Sequence, residues 1–443
     1  MMSLASSPLF DKLPIVELKE DLASFLDPIT QRLPEKRLRQ VCVLLVQGIL
    51  AAKSPLITAV ARSLERTPAC AWPLARRCYR LLRNERFSYR DLLKGVGVLA
   101  QRTVRHYQPD RLVIAVDPVN LEKPYAQKLE GVSTVMKSTP PGFQGEKRLT
   151  SGYPTLTATV VNLPEPVLAY AHWFSYQTED FTSENREIER ALRTCRALFP
   201  TLPLRFVGDA GLDDQKLFRG IDALQAQFVI RVTHEERLVE VYNDRLDRWE
   251  REPLLDFAET LPLCWHWQVR FTHAHSVHLA EIALGWFQMR LPTAPQTPYW
   301  LLVAHDTTLG RDLRLITNVP LENEQLAREL YADWRCRTRI EHTYRFDQER
   351  GLDIEDIGVH TMERMRRLFL LVLVAALFVY HIAQTWAPPA IQWLLHLGGK
   401  SDLPLDADGP YLLLSGISAV LITMATLTFA FHHPFPRRGL TYG

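Results

Sequence analysis

Two short apolar runs that each end in an aspartate decide the fold of this chain, RLVIAVD at residues 111–117 and LRFVGD at residues 204–209. Runs of this length and composition are typical of buried strands. A third run, FVIRV at residues 228–232, follows a predicted helix at residues 213–223. The alternation of buried strands with helices predicts an α/β fold.

Two further runs lie between these aspartates, TLTATVVN at residues 155–162 and VLAYAHWF at residues 167–174. They are β-branched or aromatic and are separated by LPEP, which predicts a hairpin. An amphipathic helix is expected at residues 182–198. The resulting order of strands predicts a mixed sheet in which Asp117 and Asp209 each close a strand.

The composition changes several times along the 443 residues, and 47% of them are hydrophobic, which excludes a disordered chain. Residues 235–320 are strand-like and rich in tryptophan. We predict an N-terminal extension (1–35), a helical domain (36–107), an α/β core in two parts (108–234 and 321–390), a β-rich insertion (235–320) and an apolar helical C-terminal segment (391–443).

The helical domain is strongly basic. From Glu35 to Arg105 there are fifteen Lys or Arg against four Asp or Glu, a net charge of +11. Such a segment suits a polyanion such as DNA, and its affinity should fall steeply with salt because counterions are released. Reversing Arg76, Arg77, Arg80 and Arg83 should flatten that salt dependence. The alternative is an ordinary solvated helical surface.

The six cysteines are scattered, without the spacing of a zinc site or of a disulfide framework. A reducing cytoplasm fits this pattern, and the first 21 residues contain no apolar signal core. The motif HAHSVH places His273, His275 and His278 in the β-rich insertion. We interpret them as surface histidines, with metal binding as the alternative.

Two apolar stretches near the C-terminus raise the question of a membrane. Residues 368–382 form a run of 15, and residues 411–431 a run of 21 that also contains Ser, Thr and Gly. About 20 apolar residues are needed to span a bilayer. We predict helices buried in the protein or covered by a partner, with no stable membrane partner. A membrane-associated protein is the alternative.

Three carboxylates have the arrangement that phosphodiester chemistry needs. Asp117 and Asp209 follow strands, and Glu341 lies in a helical stretch. Phosphodiester cleavage commonly uses two hard cations about 3.5–4 Å apart, held by carboxylate oxygens. We predict that the three side chains converge on a metal site. The nearby Asp213 and Asp214 are expected to cap a helix rather than bind metal.

Several motifs resemble a DDE transposase of the insertion sequence 4 family. They are IAVDP at Asp117, FVGDAGLDD at Asp209, FVIRV after it, and the helix that carries Arg337 and Glu341. The resemblance implies a ribonuclease-H-like catalytic core interrupted by a β-strand insertion and preceded by a helical DNA-binding domain. It also implies two Mg²⁺ ions bound by Asp117, Asp209 and Glu341, with Mn²⁺ as a substitute.

The same resemblance implies the DNA partners, the oligomeric state, the location and the reaction of the protein. The partners would be double-stranded DNA with terminal inverted repeats and target DNA, and the active complex would be a homodimer. A cytoplasmic, nucleoid-associated protein would nick the element's ends and transfer the strands by a cut-and-paste mechanism.

Two positions depart from the family's pattern on the last helix. Trp334 stands where the family has Tyr and Gln348 where it has Lys, while Arg337 and Glu341 match. In the family the Tyr, Arg and Lys are implicated in holding DNA phosphate near the cut. The departures support the alternative that this is an inactive, transposase-derived DNA-binding protein, unless Arg350 compensates.

Trp300, in TPYWLLVAHD, resembles a tryptophan of the family's insertion that stacks on a base flipped out beside the cut. Stacking on an aromatic ring returns about 1–3 kcal/mol per base. Trp286 is a second candidate for this role. The alternative is that Trp300 belongs to the core of the insertion.

Overall fold

The computed structural model describes residues 14–126, 128–137, 148–273, 276–307, 310–348, 351–399 and 409–432. Within these residues, helices at both ends of the chain enclose a central stretch that is mostly strand. The helices are α1 (Ile15–Thr30), α2 (Lys36–Ala52), α3 (Ile57–Leu64), α4 (Pro68–Arg83), α5 (Tyr89–Tyr107), α6 (Glu184–Leu198), α7 (Gln215–Ala223), α8 (Leu254–Thr260), α9 (Glu324–Arg335), α10 (Thr338–Gln348), α11 (Met362–Thr385), α12 (Pro388–Leu397) and α13 (Gly409–His432).

Apart from β2, which lies in a stretch rich in Gly, Pro, Ser and Thr that favoured a loop, the strands lie within the stretches predicted to be strands or strand-like. They are β1 (Leu112–Glu122), β2 (Ser133–Met136), β3 (Leu149–Val160), β4 (Val167–Trp173), β5 (Leu204–Gly208), β6 (Gln227–Arg231), β7 (Leu238–Asn243), β8 (Arg248–Pro253), β9 (Trp265–His273), β10 (Ser276–Leu291), β11 (Ala294–Asp306) and β12 (Arg311–Thr317).

The strands of the described chain form one mixed sheet, as predicted. Its order is β2-β3-β1-β5-β6-β12-β11-β10-β7-β8, with β4 also paired to β3 and β9 to β10. Strand β1 is antiparallel to β3 and parallel to β5, which is parallel to β6. The parallel strands β1, β5 and β6 therefore end at the same edge of the sheet.

The stretch predicted to be β-rich supplies β7–β12 and α8. These strands continue the sheet, because β12 pairs antiparallel with β6 over residues such as Thr317, opposite Val229. Pairing between strands so far apart in sequence cannot be derived from local composition.

The two faces of the sheet have separate apolar cores. On one face, buried residues of β1, β3 and β5 pack with Ile188 of α6 and Phe218 of α7. On the other, Val113, Val207 and Val229 pack under Leu330 of α9. We call the second side the α9 face. Residues alternate between the faces along each strand, so Asp117 and Asp209 share the α9 face.

The helices from both ends of the chain share a third core. Residues of α1, α2, α4 and α5 are buried together with residues of α11, α12 and α13. Helix α1 packs closely on α5, since a Cβ at Gly95 would lie 2.6 Å from the Cα of Ile29. Residues 15–30, predicted as part of an extension, therefore belong to this helical layer.

The C-terminal apolar segments form α11 and α13. By length and composition, both helices could cross a membrane, and α2 with α3 would make a third span if that pair, bent by 89°, is counted as one. In the structure, 72% of an 18-residue apolar stretch of α11 is buried inside the protein, and 44% of the corresponding stretch of α13. Most of the apolar surface of α11 is thus covered by protein, as expected.

Candidate active site

Strands β1 and β5 set the two aspartates level with each other. Ala115 pairs with Val207 in parallel register, and each aspartate lies two residues further on. One expected detail was wrong, because β1 does not end at Asp117. It continues to Glu122, and Asp117 lies opposite Thr157 on β3. The longer pairing with β3 holds Asp117 inside the sheet, while Asp209 lies beyond the end of β5.

The turn after β5 is compact because its glycines lie directly against neighbouring side chains. Neither Gly208 nor Gly211 has a positive φ, so both are needed for space rather than for a left-handed backbone. A Cβ at Gly208 would lie 2.6 Å from Leu212 Cδ2, and one at Gly211 would lie 3.3 Å from Pro118 Cγ. The glycines allow the Asp209 turn to pack directly against the residue after Asp117.

A buried ionic network fixes α9 over the parallel strands. Arg111, at the start of β1, contacts Glu329 at 3.0 Å and Asp333 at 3.2 Å. Arg205 on β5, whose side chain is 4% exposed, contacts the same two acids and also donates to Gln227. Because two strands and α9 share these contacts, α9 is held at a defined position above β1 and β5.

A two-residue connection separates α9 from α10, and Arg337 lies in it. Its Nη1 lies 2.6 Å from Glu341 Oε1, and its Nη2 lies 3.6 Å from Asp209 Oδ2. Trp334 donates from Nε1 to the carbonyl of Gly208 at 3.0 Å, and the Arg337 guanidinium lies 5.2 Å from the Trp334 ring centre. Arg337 thus links the turn after β5 to the first turn of α10.

The electrostatics show that the three acids converge. Burial raises the pKa of Asp117 to about 7, the charge of Arg337 lowers it, and the charges of Glu341 and Asp209 raise it. Charges act on a pKa in this way only from nearby. Asp117, Asp209 and Glu341 therefore form one group, which we call the acidic cluster.

The acidic cluster has ligands of the right type for hard cations. Among the described residues, Asp209 Oδ1 is buried without a hydrogen-bond partner and lies 3.5 Å from Arg231 Nη1. In the described part of the chain, no three His, Cys, Asp or Glu side chains are grouped closely enough to hold an ion as they stand. The donor chemistry fits two hard cations, and Arg337 occupies contacts with Asp209 and Glu341 that such ions would need.

The sequence did not single out Arg231 or the ionic network that fixes α9. Arg231 is the fourth residue of FVIRV and lies on the α9 face with Val229. Its position in the alternating pattern of a strand was the available signal. The contacts among Arg111, Arg205 and Asp333 join residues more than 90 positions apart, and no local pattern indicates them.

The other residues of the predicted site lie in different places. Trp334 packs against the Asp209 turn, so its indole N–H serves the backbone. The side chains of Gln348, His273 and His278 fall outside the described residues, as do Arg350 and His275. Their predicted roles stay predictions.

Trp300 is half-buried in the apolar cluster of the α9 face, and its neighbour Tyr299 is fully buried on the other face. Trp300 pairs with Thr317, which pairs with Val229 on β6. Since β6 adjoins β5, Trp300 lies level with Val207 and three strands away from it, about 14 Å at the usual strand spacing. Trp286 is on the same face and stacks on Trp265 at 6.0 Å.

Of the two aspartates predicted to cap a helix, one does so. Asp214 accepts a hydrogen bond from Lys216 N at the start of α7. The prediction for Asp213 was wrong, because its buried carboxylate accepts from Thr233 N and His234 N and pairs with Arg237 at 2.6 Å. It ties the turn before α7 to the segment after β6.

Asp117 gives the folded protein a pH dependence that can be measured. Its pKa, raised to about 7, means that the folded state binds a proton between about pH 4 and pH 7 that the unfolded state releases. Stability should therefore fall as the pH rises through that window. Without metal, we expect Asp117→Asn to be more stable than the wild type at pH 8, by on the order of 3 kcal/mol, and closer to it at pH 5.

Urea unfolding in EDTA at both pH values measures this difference. Asp110→Asn, which changes an exposed acid just before β1, is the matched control and should follow the wild type. An unchanged pH dependence in Asp117→Asn would show that the Asp117 carboxyl titrates normally.

Comparisons with known protein-family models and with curated proteins find no match to this chain.

Proposed function

We propose that this chain is a DNA transposase that nicks DNA and transfers strands with two divalent metal ions. The observation that carries the proposal is the acidic cluster. Two aspartates lie level on adjacent parallel strands, and Glu341 approaches from a helix that Arg337 joins to the Asp209 turn. Carboxylates from two strands and a facing helix suit a two-cation site for phosphodiester chemistry.

The sheet supports a ribonuclease-H-like core. Strands β4, β3 and β1 are antiparallel neighbours, and β5 and β6 follow in parallel on the other side of β1. This order agrees with the one expected for a ribonuclease-H-like sheet, with Asp117 on the first of its strands and Asp209 directly after the fourth. Strands β7–β12 lie in sequence between β6 and α9, where the resembled family has its insertion.

The residues can be given roles on this proposal. Asp117, Asp209 and Glu341 would hold two Mg²⁺ ions, for which Mn²⁺ substitutes, and the ions would activate the attacking oxygen and stabilise the leaving oxygen. Arg337, which contacts Asp209 and Glu341 here, would bind the phosphate at the cut. An arginine suits that task because its planar group binds phosphate through two N–H donors.

The proposal is tested with the full chain and DNA containing both flanks of its gene. We expect nicks at the inverted-repeat ends in Mg²⁺ or Mn²⁺ and none in EDTA. Specific binding of these ends without nicking in either metal would instead identify a transposase-derived DNA-binding protein. The homodimer and the cytoplasmic, nucleoid-associated location belong to the same proposal, and sedimentation on end DNA tests the dimer.

Trp300 provides a separate prediction within this proposal. We expect Trp300→Ala to nick DNA at the wild-type rate and to fail at the following strand-transfer or hairpin step. A flipped base loses a few kcal/mol of stacking, and an aromatic face returns part of it. The measurement is the ratio of nicked to joined product. Trp286→Ala is measured alongside, and a joining defect in that variant alone would assign the stacking role to Trp286.

A fluorescent base analogue beside the cut should also lose its quenching in Trp300→Ala. If the variant melts at a lower temperature and loses every step equally, Trp300 serves only the apolar cluster under α9.

A further inference from the structure

Helix α10 contains a buried acid that lies outside the acidic cluster. Asp347 is 1% exposed, and neither of its carboxyl oxygens has a hydrogen-bond partner among the described residues. It lies in the last turn of α10, where the negative end of the helix dipole also disfavours an anion. An ionised carboxylate without a partner is so costly to bury that the group keeps its proton instead. Burial accordingly raises the pKa of Asp347 well above its usual range.

Asp347 belongs to the stripe of α10 that packs on the rest of the protein. Ile340, Thr343 and Asp347 are spaced three and four residues apart, which puts them on one side of the helix. All three line a cavity of about 20 Å³ between α10, β3, β4 and α11. The inward stripe of a helix is ordinarily apolar, so an acid at this position is unusual.

The lining of the cavity is partly polar. Thr157 and Thr159 of β3 line it together with Thr343. Its apolar lining from β4 and α11 consists of Leu168, Leu373 and Leu377. A cavity of this size holds one water molecule, which needs about 10–15 Å³ and two to four polar partners. The Asp347 carboxyl and the threonine hydroxyls supply such partners.

The surrounding elements give Asp347 no countercharge. Asp347 is the one described residue of the lining that can carry a charge. From α11, Tyr380 interacts with it, and burial and the charge of Asp347 both raise the pKa of Tyr380, which therefore stays neutral. On α10 itself, Arg339 donates to two backbone carbonyls after β3, and His342 is exposed. These surroundings favour the uncharged form of Asp347.

The cavity adjoins the acidic cluster through Thr157. Thr157 lies directly opposite Asp117 on the neighbouring strand, so their Cβ atoms are about 5 Å apart on the same face. Helix α10 connects the two places again, because Glu341 lies six residues before Asp347, about 9 Å along the helix axis. A contact that holds Asp347 against β3 therefore also determines where Glu341 meets the two aspartates.

We propose that Asp347 is a positioning residue, an uncharged carboxylic acid that docks α10 on Thr157 and Thr159 through one water molecule in the cavity. This contact and the ion pair with Arg337 together fix Glu341 in the acidic cluster. The inference rests on the proposed function, because the acidic cluster that Glu341 completes is the proposed metal site.

The first measurement determines the protonation state of Asp347 in the full chain. The infrared difference spectrum between the wild type and Asp347→Asn at pH 7 should contain the carbonyl stretch of a protonated carboxyl. In EDTA, the folding equilibrium constant of Asp347→Asn relative to the wild type should rise about tenfold from pH 5 to pH 6, since only the unfolded Asp347 has released its proton there. Asp244→Asn, at an exposed position between β7 and β8, is the matched control and should show neither effect.

The second measurement separates positioning from packing. Electron paramagnetic resonance gives the affinity of the full chain for Mn²⁺ without DNA. Asp347→Asn keeps the shape and the polar atoms of the side chain, so it should keep the wild-type affinity. Asp347→Leu keeps the size and loses the hydrogen bonds, and it should bind Mn²⁺ about tenfold more weakly, as is usual when an outer partner of a metal site is lost. If Asp347 only filled space, leucine would suit the cavity and leave the affinity unchanged.

Thr159→Val is a second variant for the same question. It removes one hydroxyl from the cavity and keeps the shape of the side chain, so it should weaken Mn²⁺ binding in the same direction as Asp347→Leu. Circular dichroism verifies that each variant is folded.

The inference is overturned if Asp347 is ionised at pH 7, or if folded Asp347→Leu and Thr159→Val bind Mn²⁺ like the wild type. An ionised Asp347 with a stability that rises with Na⁺ or K⁺ at constant ionic strength would make the cavity a cation site instead. Failure of the proposed function looks different. The expected order of Mn²⁺ affinities without nicking of end DNA would contradict the transposase and keep the role of Asp347, whereas a wild type that binds no Mn²⁺ would contradict both.

Discussion

Asp209→Asn should reduce DNA nicking on the order of 10³-fold or more and leave DNA affinity within about twofold. Loss of a metal site removes several kcal/mol of stabilisation from the transition state, and each 1.36 kcal/mol is tenfold in rate. Asp209 Oδ1 is buried and accepts no hydrogen bond from the described residues, so it offers a ligand position in the acidic cluster. The amide of Asn keeps the shape of the side chain and removes its charge.

The matched control is Asp214→Asn, five residues further along the same motif. Asp214 caps α7 and lies outside the acidic cluster, so nicking should stay near the wild-type rate. Nicking of DNA with pre-formed ends, measured over time in Mg²⁺, provides the comparison. Near-normal nicking by Asp209→Asn would show that Asp209 does not bind the metal, and it would contradict the transposase proposal.

A change of donor atom sharpens the experiment. Asp209→Cys should be inactive in Mg²⁺ and regain part of its activity in Mn²⁺, because a thiolate is a poor ligand for the harder ion. Activity that returns with the softer metal would place Asp209 in direct contact with the cation. Equal inactivity in both metals would indicate a role in holding the turn after β5.

Features of the fold that depend on local sequence could be predicted, and features that depend on contacts between distant residues could not. The runs ending at Asp117 and Asp209 predicted two strands, and buried apolar runs are a local signal. The further course of β1 to Glu122 was missed, since it depends on pairing with β3. Pro118 and Asn120 in that extension are poor strand formers by themselves.

The elements that carry the three acids could be predicted from the sequence, but the contacts that bring the acids together could not. Glu341 was expected on a helix, and α10 carries it. The break after Arg335 that turns Arg337 toward both Asp209 and Glu341 has no marker in the sequence such as Pro or Gly. It becomes intelligible only when α9 is fixed by contacts made across the sheet.

Asp333→Asn should lower the free energy of unfolding by about 3–5 kcal/mol, because it breaks a buried ionic network by removing one partner. Asp333 is nearly buried and meets Arg205, whose side chain is 4% exposed, and Arg111. With a neutral Asn, the buried Arg205 keeps one acidic partner among the described residues, Glu329, whose side chain is 34% exposed. Urea unfolding at neutral pH gives the value.

Asp312→Asn is the control, because the Asp312 side chain, which contacts Arg314 and His305, is 45% exposed. Exposed pairs contribute about 0–1 kcal/mol, so this variant should remain close to the wild type. Nicking by folded Asp333→Asn should also fall, because Asp333 holds the end of α9 in place and Trp334 and Arg337 follow it closely in the chain. If Asp333→Asn cost no more than Asp312→Asn, the packing of Leu330 and its apolar neighbours, rather than the ions, would hold α9 over the acidic cluster.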